Sequence, residues 1–547
     1  MPPFRIEKDP LGELRVPAAA YYGVQTQRAV ENFPISGMTA PPELVTATVQ
    51  IKKAAADANR TLGRLDPRIA GAIIAAADEI LAGGLRDQFV VDVYQAGAGT
   101  SHNMNVNEVL ANRAAEILGS PRGDYERVHP NDHVNMGQST NDVFPTATRL
   151  ALLTMLPDLL AAARELAAGL AAKAAEFDGV LKTGRTHLQD AVPMTLGQEF
   201  GGFAANVAHA AKELERTAKQ LLELNLGSTA VGTGLNAGNE YTAEAIRNLA
   251  MYTGTAVRPA VNRFRVTQSM GDVVGYSGAL RRLAAEVGKI ASDLRLLSMG
   301  PRAGIAEIRL PAVQPGSSIM PGKVNPSVPE MVNQVCFQVF GCDATILIAA
   351  EAGQLELNVM MPVIAWNAIH ATRILGRAMQ VLQRRSVAGI EADEERAREL
   401  LDRSTAIATA LSPYIGYAAT ADVAKTAVKT GRSIRELVRE RGLLSDEKLD
   451  RVLSAEAMTL PGVPGSDEEQ VPHDKTDRPD GSDRGGRGGP RGGAATTAAT
   501  AAATTAAAQP AVPAREARHA RRTGPGRVAA PRSGDGHAAH RGRKRRR

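Results

Sequence analysis

The chain has 547 residues, of which 44% are hydrophobic and 22% charged, so it can bury a large core and should form more than one domain. Its two cysteines, Cys336 and Cys342, match no metal-binding pattern and give no reason to expect a disulfide. The N-terminus lacks the apolar stretch of a secretion signal, and no run approaches roughly eighteen uninterrupted apolar residues. We therefore expect a cytoplasmic protein that does not span a membrane.

The net charge of +6 is distributed unevenly along the chain. Residues 471–547 contain seventeen Lys and Arg against six Asp and Glu, a balance of +11, which leaves about −5 for residues 1–470. The body of the protein is therefore mildly acidic. The positive total gives no ground for treating the whole chain as a nucleic-acid-binding protein.

Residues 1–141 are predicted to form an N-terminal domain of mixed loops and helices, with a helical pattern over 69–82. Residues 142–395 should form a central domain, because long segments there carry apolar residues at spacings of three and four. These segments are 143–176, 196–223, 266–299, 328–352 and 359–385. Their length predicts a bundle of long helices that extends across subunits.

Residues 396–466 are predicted to form a small C-terminal domain of short helices. The last two of these helices should span 433–441 and 445–453, and glycines at 431 and 442 should mark their joints. This domain is the last part of the chain whose composition is typical of a folded protein.

Residues 467–547 are predicted to form a disordered basic tail. From 471 onward the sequence contains no Leu, Ile, Met, Phe, Tyr or Trp, so it lacks the apolar area needed to offset the entropy of ordering. One interpretation is an arm that binds RNA or a partner through its terminal arginines. We favour the other, a non-functional extension, because Arg, Ala, Gly and Pro dominate, as in out-of-frame translation of GC-rich DNA.

The segment 316–326, with the sequence GSSIMPGKVNP, places two hydroxyls, a cation and a carboxamide between glycines that free the backbone to fold over a ligand. Asn325 and Pro326 predict the N-cap and first residue of a helix. The free amides and positive dipole end of that helix would favour an anion beside the loop. A phosphate-binding P-loop is excluded, because that motif requires Ser or Thr after its lysine and valine follows here.

Three other segments are dense in polar groups that could bind a ligand. Residues 97–108 and 131–142 are rich in hydroxyls and amides, and loop or helix-capping chemistry is an equally good interpretation of each alone. In residues 184–194, the pair Thr186–His187 precedes a long helix. Two interpretations of this histidine stay open: it binds a ligand, or it has a structural role. A Gly/Thr/Asn-rich loop over 227–236 interrupts the helical region.

Together these segments resemble the conserved regions of the fumarase/aspartase superfamily, in the same order and over about residues 3–465. The loop at 316–326 is similar to the GSSxMPxKxN segment that closes over a dicarboxylate in that family. Residues 326–337, 97–101 and 139–141 resemble the aspartase version more than the fumarase version. The histidine at 187 does not discriminate, because some aspartases carry Gln there and others carry His.

The resemblance implies a mainly α fold in which each subunit has three domains and a central bundle of long helices. It also implies a homotetramer whose active sites are each built from three subunits. The activity implied is that of the aspartase branch, the reversible anti-elimination of ammonia from L-aspartate to give fumarate. We expect this to require no cofactor and no metal; whether a divalent cation activates it stays open.

The resemblance assigns roles residue by residue. Ser317 is the catalytic base, and the carboxylate of Glu330 holds His187 in place. The residues expected to bind the substrate are Thr100, Ser139, Thr140 and Ser318 at the β-carboxylate, Lys323, Asn325 and Thr186 at the α-carboxylate, and Asn141 and His187 near the amino group.

Elementary chemistry explains why hydroxyls, amides and one lysine suffice for this reaction. Removing a proton beside an ionised carboxylate gives an aci-carboxylate with two negative charges, which needs preorganised donors in a water-poor site. A serine is a poor base at its ordinary pKa. It must therefore act as an oxyanion stabilised by loop amides, a cation and a helix end.

Three alternatives stay open. The nearest is a class II fumarate hydratase, which adds water to fumarate in place of ammonia. A second is a non-catalytic relative that only binds a dicarboxylate, although the intact set of Ser317, Lys323, Asn325 and Thr100 argues against it. A third is an RNA-binding protein that acts through the basic tail.

Overall fold

The computed structural model describes residues 3–466, which are predominantly α-helical. This confirms the mainly α fold predicted from the sequence. The predicted basic tail over 467–547 lies outside the described residues. Within 3–466 the chain forms sixteen α-helices and eight short strands, with short 3₁₀ and π segments between them.

The N-terminal region begins with an antiparallel hairpin in which Phe4 lies opposite Pro17. Its strands and helices are β1 (Phe4–Asp9), β2 (Gly12–Pro17), α1 (Val24–Asn32), α2 (Pro42–Thr61), α3 (Pro67–Leu81) and α4 (Thr100–Ile117). The helix predicted over 69–82 is α3, and it starts earlier because the Asp66 side chain accepts from the amides of Arg68 and Ile69. Buried side chains of α2, α3 and α4 form a hydrophobic cluster of their own.

The central region contains the long helices. Its elements are α5 (Thr140–Glu176), β3 (Leu181–Thr186), β4 (Gln189–Thr195), α6 (Leu196–Ala218), β5 (Glu223–Leu224), α7 (Asn239–Thr253), β6 (Arg258–Pro259), α8 (Arg263–Gln268), α9 (Gly271–Leu297), β7 (Ile308–Arg309), α10 (Ser327–Glu351) and α11 (Met361–Arg385). With 37 residues, α5 is about 55 Å long.

Five of these helices pack in a closed ring, in the order α5, α6, α9, α10, α11 and back to α5. The largest hydrophobic cluster is built mainly by this ring and extends to α2 and α7, and Leu150, Phe200, Leu283, Ile346 and Leu375 are fully buried in it. Burying one such side chain contributes about 1.5–3 kcal/mol. The apolar stripes that predicted the bundle are therefore the ones that hold it together.

The prediction of one continuous helix is wrong for one segment. The segment 266–299 was expected to be a single helix, but α8 ends at Gln268 and Ser269 is extended before α9 starts. The fully buried Arg149 donates to the carbonyl oxygen of Ser269 and, with its Nε, to Asp272 Oδ2 at 2.6 Å. A buried guanidinium needs such acceptors, and the break in the helix supplies them.

The C-terminal region consists of a short strand and five helices. They are β8 (Glu391–Ala392), α12 (Glu394–Arg403), α13 (Ser412–Thr430), α14 (Ile434–Glu440), α15 (Asp446–Val452) and α16 (Ala455–Thr459). The short helices predicted over 433–441 and 445–453 are α14 and α15, capped by Ser433 and Ser445. Their buried side chains form a third hydrophobic cluster, which also includes Leu181 of β3. The predicted domain boundaries before residues 142, 396 and 467 stay predictions. Helix α5 begins at Thr140, two residues before the predicted start of the central domain.

Among the described helices, α10 is long and apolar enough to cross a membrane by length and composition. It packs against α9 and α11 in the ring, and a core helix of a soluble bundle has the same composition. The outward face of α10 leaves Phe337, Leu347 and Ile348 exposed.

Candidate active site

The first group of predicted site residues lies at the N-termini of α4 and α5. Thr100 is the exposed first residue of α4, and Gly99 before it has a φ of 84°. A Cβ at Gly99 would lie 2.1 Å from the ring of Phe144, so the start of α4 sits directly against α5. Asn103 Nδ2 donates to Thr140 Oγ1 at 3.2 Å and joins the two helix ends.

The start of α5 is held by a capping box. Ser139 Oγ accepts from the amide of Asn141 at 3.2 Å, and the amide of Ser139 donates to Asp142 Oδ1 at 2.9 Å. The other carboxylate oxygen of Asp142 accepts from the amides of Gly227 and Thr229 at 3.0 and 2.9 Å. The buried Asp142 therefore fixes the Gly/Thr/Asn-rich loop against the N-terminus of α5, an end that favours an anion.

Asn141 faces the same loop. Its Nδ2 donates to the carbonyl oxygen of Ala230 at 2.8 Å, and its backbone carbonyl accepts from Asn225 Nδ2 at 3.1 Å. Within residues 3–466 the carboxamide oxygen of Asn141 accepts no hydrogen bond. That oxygen is therefore free to accept from an ammonium group.

The second group lies at the tip of the β3–β4 hairpin. Thr186 ends β3, and His187 and Leu188 form the turn with φ values of 55° and 58°. Both turn residues are exposed, and the described part of the chain offers His187 no hydrogen bond or ion pair. The sequence predicted only that this pair precedes a long helix; the structure inserts β4 before α6 and so projects the pair into solvent.

The third group is the loop at 316–325, which closes on itself. The amide of Gly316 donates to the carbonyl oxygen of Lys323 at 2.8 Å, and Asn325 Nδ2 donates to the carbonyl oxygen of Gly316 at 2.7 Å. A Cβ at position 316 would lie 2.3 Å from the Lys323 oxygen, so only glycine fits.

The predicted helix start in this loop is wrong by one residue. Asn325 was expected to be the N-cap and Pro326 the first helical residue, whereas Pro326 is the N-cap and α10 begins at Ser327. The carboxamide of Asn325 is engaged with the Gly316 carbonyl, and no side chain caps the helix. The amide of Ser327 donates to the carbonyl oxygen of Asn325 at 2.8 Å, and Pro329 has no amide hydrogen, so in this first turn the amide of Val328 is the one without an acceptor in the described structure.

Ser317 occupies a distinctive position in the loop. Its Oγ accepts from the amides of Ile319 and Met320 at 3.2 and 3.0 Å. Two backbone donors on one hydroxyl oxygen stabilise negative charge there and favour the alkoxide. Ser317 lines a groove of about 450 Å³ whose lining also includes Lys323. In the described structure the side chains of Ser318 and Lys323 form no hydrogen bond or ion pair and remain exposed.

The single chain does not bring the three groups together. No hydrogen bond or ion pair within 3–466 joins any two of them, and none joins Glu330 to His187. Thr100, the hairpin tip and most of the loop are exposed. The predicted roles of these residues, including that of Glu330, therefore stay predictions.

Comparison with known proteins places the chain in a family. Residues 12–341 match the family described as Lyase, and residues 407–460 match the one described as Fumarase C C-terminus. The chain belongs to the fumarase/aspartase superfamily. The first match alone covers more than half of the 547 residues.

Individual members of the superfamily resemble the chain over most of its length. The aspartate ammonia-lyase of Pseudomonas fluorescens is 53% identical over 84% of this chain and 96% of its own. A solved fumarate lyase:delta crystallin from Brucella melitensis, bound to cobalt, is 52% identical with a TM-score of 0.81, over 84% of this chain and all of its own. The recombinant class II fumarase of Schistosoma mansoni matches 84% of this chain and all of its own with a TM-score of 0.81, but it is only 37% identical in sequence.

Sequence reasoning missed a buried polar network behind the first group in this superfamily member. Lys52 of α2 is fully buried, and its Nζ donates to Asn135 Oδ1 at 2.7 Å and to Gln138 Oε1 at 2.9 Å. Asn135 Oδ1 also accepts from Asn103, which bonds Thr140. A signal was available, because polar residues recur at positions 48, 52 and 59 on the apolar face of α2.

Burial shifts the ionisation of this network. It lowers the pKa of Lys52 to about 7, against the opposing attraction of Asp142, and raises the pKa of Asp142 to about 7. His102, which also lies there, has its pKa lowered to about 4 by burial and by the charge of Lys52. The polar groups under the helix ends are therefore held with little net charge, which leaves the helix dipoles to attract an anion.

Proposed function

We propose that this protein is an aspartate ammonia-lyase that catalyses the reversible anti-elimination of ammonia from L-aspartate to give fumarate. The observation that carries the proposal is the placement of Ser317, whose oxygen receives two backbone N–H groups in a loop that also presents Lys323. Ammonia is preferred to water because the Pseudomonas aspartate ammonia-lyase is 53% identical and the Schistosoma fumarase 37%.

In this mechanism the β-carboxylate of aspartate binds where helix ends and hydroxyls converge. Thr100, Ser139 and Thr140 lie at the first turns of α4 and α5, which supply hydroxyls and a favourable dipole. Ser318 approaches from the loop. These donors stabilise the aci-carboxylate more than the substrate, since only the intermediate places two negative charges on the group.

Ser317 as an alkoxide removes a proton from the β-carbon of aspartate. The electron pair of the broken C–H bond enters the β-carboxylate and gives the aci-carboxylate. The pair then returns to form the carbon–carbon double bond while the bond from the α-carbon to nitrogen breaks and ammonia leaves. Lys323, Asn325 and Thr186 hold the α-carboxylate, and Asn141 and His187 lie at the amino group.

We propose that the protein is a homotetramer in which three subunits contribute the three groups of each site. Two features support this: each group has at least one exposed residue in the single chain, and the central bundle leaves an apolar face uncovered on α10. In such an assembly Glu330 of one subunit would hold His187 of another. A cytoplasmic location, and nucleic-acid binding only through the tail, follow from the sequence alone and are proposed on that basis.

The shared site has a direct test. Subunits carrying Ser317→Ala, which lack the base, and subunits carrying Thr100→Asp, whose added carboxylate would repel the β-carboxylate of aspartate, should each be nearly inactive alone. Co-assembled, they should recover part of the wild-type rate, because some sites then take Ser317 from a subunit altered only at position 100 and Thr100 from a subunit altered only at position 317. Mixed tetramers that are no more active than the separate variants would place both residues of a site in the same subunit.

The activity is tested with the purified full-length chain by following the ultraviolet absorbance of fumarate. L-Aspartate should yield fumarate and ammonia, and fumarate with ammonium should yield aspartate. Fumarate in ammonium-free buffer should yield no malate. Malate formation without aspartate formation would identify a fumarate hydratase. Fumarate binding without turnover in either assay would identify a non-catalytic dicarboxylate-binding protein.

A further inference from the structure

A cluster of four charged side chains, two of them buried and two partly exposed, lies at the base of two of the three groups. Glu307 is fully buried, and its carboxylate faces the guanidinium of Arg185, with Oε1–Nη2 and Oε2–Nη1 distances of 2.9 and 3.0 Å. Lys182 Nζ lies 3.5 Å from Glu307 Oε2 and 3.0 Å from Glu199 Oε2. Two cations thus balance two carboxylates, and of the four side chains Lys182 and Glu307 have almost no access to water.

Arg185 ties the outer part of the β3–β4 hairpin to the rest of the chain. The strand is irregular between Thr183 and Arg185, and beyond this point the hairpin extends into solvent. Within 3–466 the bond to Glu307 is the one side-chain hydrogen bond or ion pair that joins residues 185–191 to another element. Thr186 and His187 directly follow the anchored residue, so the anchor sets where they lie.

Glu307 also begins the segment that leads to Ser317. Its carbonyl oxygen accepts from the amide of Asp393 at 2.9 Å, and the next two residues form β7, which pairs with β8. From residue 310 to 325, no hydrogen bond in the described structure joins the segment to any element except the start of α10. Leu310 packs against the largest hydrophobic cluster, so the loop from 311 to 325 is held at one end by α10 and at the other by the β7–β8 pair and the buried Glu307 directly before it.

We infer that Glu307 is a positioning residue that holds two substrate-contacting segments, the Thr186–His187 hairpin tip and the Ser317 loop, in a fixed relation through its bidentate pair with Arg185. The inference rests on the proposed function for what these segments contact. Bidentate carboxylate–guanidinium geometry fixes orientation as well as distance, which a single hydrogen bond does not. Displacement by about 1 Å of a group that orients substrate costs on the order of 10²-fold in rate.

The test compares four variants: Glu307→Gln, Arg185→Gln, the double variant, and Arg309→Gln as a matched control. Arg309 lies two residues along the same segment but is exposed, and it pairs with Glu391 and Asp393 on the surface. For each protein we would measure kcat and KM for aspartate, the melting temperature, the assembly state, and hydrogen exchange over residues 182–195 and 310–326.

Glu307→Gln should lower kcat/KM on the order of 10²-fold and speed hydrogen exchange in both segments, while exchange in α5 and α9 stays as in the wild type. It should also lower the melting temperature, because the buried Lys182 and the partly exposed Arg185 then face one carboxylate, that of Glu199. Arg309→Gln should behave as the wild type in every measurement. A folded Glu307→Gln protein with wild-type kcat/KM or unchanged exchange in the two segments would overturn the inference.

The double variant separates positioning from stability. Removing both charges leaves Lys182 and Glu199 balanced, so the melting temperature should recover while kcat/KM stays low. Recovery of kcat/KM together with stability would mean that Glu307 acts only on folding, and would overturn the inference.

If Glu307→Gln does not fold, the Arg185→Gln protein carries the same test, since Arg185 lies nearer the surface than Glu307. It should show the loss of kcat/KM and the faster exchange at the hairpin tip, and a wild-type result would overturn the inference. A wild-type chain that does not deaminate aspartate would refute the proposed function, and the exchange measurements would still decide whether Glu307 fixes the two segments.

Discussion

Ser317 and Ser318 are adjacent residues of the same chemical type in one loop, but their surroundings differ. The Ser317 oxygen accepts from two amides, whereas the Ser318 side chain is exposed and has no partner in the described structure. Amide donors stabilise an oxyanion far more than a neutral hydroxyl, so they lower the cost of deprotonating Ser317. The reactivity of a residue in this loop is therefore set by the backbone around it.

Replacing Ser317 with Ala should reduce aspartate turnover by roughly 10²–10⁴-fold, the usual contribution of a positioned proton acceptor. Assembly should be unchanged, because the side chain bonds only to its own loop. The control is Ser318→Ala, which removes one carboxylate hydrogen bond and should cost about tenfold. Steady-state rates of fumarate formation distinguish the two. A Ser317→Ala protein at near wild-type rate would disprove the assignment of the base.

His102 should make the protein sensitive to acid. Its Nε2 lies 3.0 Å from Thr48 Oγ1, its Nδ1 has no partner, and burial lowers its pKa from 6.5 to about 4. Between these two pH values the unfolded chain binds a proton that the folded chain does not, so acidification favours unfolding. The shift corresponds to about 3 kcal/mol, lost progressively as the pH falls from 6.5 to 4.

The measurement is the melting temperature of wild type and His102→Gln at neutral pH and at a pH between 4 and 6.5. The acid-induced decrease should be smaller in the variant, which has no group with this shift. The exposed His209→Gln on α6 is the matched control and should show the wild-type decrease. Equal decreases in wild type and His102→Gln would show that His102 titrates normally in the folded protein.

At the scale of elements, the long helices could be predicted from the sequence to within a few residues, because their buried stripes repeat at three and four residues. The breaks and turns could not. The gap at Ser269 depends on the buried Arg149, which lies far away in the sequence. The hairpin turn uses left-handed backbone at His187 and Leu188, a conformation that is uncommon outside glycine and that leucine in particular does not favour.

The candidate site was predictable in its residue types and not in its arrangement. The serines, Lys323 and Thr186–His187 were all identified from motifs, since loop glycines and hydroxyls are visible in sequence. Lys52 was missed because a lysine in a helix is ordinarily a solvent-exposed residue. Asn325 was assigned a capping role on local grounds, whereas a contact nine residues away at Gly316 engages it.

The two ends of α4 allow a matched test of how an element positions a site residue. Gly99 precedes the helix with a φ of 84°, and Gly119 follows it with a φ of 85°. A Cβ at Gly99 would collide with the Phe144 ring, while a Cβ at Gly119 would meet nothing within 4 Å. Gly119→Ala should therefore cost about 1 kcal/mol of stability for the backbone conformation alone.

Gly99→Ala should cost that amount plus about 1–3 kcal/mol for the collision. It should also raise KM for aspartate, because the start of α4 must shift and Thr100 is its first residue. Denaturant unfolding and steady-state kinetics on the two variants check both effects. Equal losses in the two proteins, with unchanged KM, would show that contact with Phe144 does not fix the start of α4.

At the scale of the whole molecule, the ring of five helices buries one side of each helix and leaves the outer side of α10 without a covering element in the described chain. Phe337, Leu347 and Ile348 on that side are 64%, 52% and 69% exposed. Monomeric proteins rarely expose a contiguous apolar surface of this kind. A second copy of the chain is the partner that the proposed assembly supplies.

Ile348→Asp should therefore dissociate the assembly without unfolding the subunit, since the side chain is outside the core of the single chain. Activity should be lost together with the assembly, because the proposed sites are shared. Light scattering after size exclusion gives the mass, and the same fractions are assayed. The control, Val428→Asp, alters an equally exposed apolar residue on α13 and should keep both properties. An active monomer would contradict the shared site.

Truncation after residue 466 should leave folding, assembly and lyase activity intact. All of the proposed site residues lie within 3–466, and 461 aligned residues already account for 96% of the Pseudomonas relative. The deleted part lacks the apolar side chains needed to dock on the body, and attraction by its excess positive charge would be screened by salt. Salt-sensitive RNA binding, if the full chain shows any, should disappear with the tail, because it depends on arginines that neutralise phosphates. Activity, mass and RNA binding are compared between the full-length and truncated proteins. A truncated protein that is inactive or fails to assemble would show that the tail is part of the working enzyme, and the interpretation of residues 467–547 as a non-functional extension would be wrong.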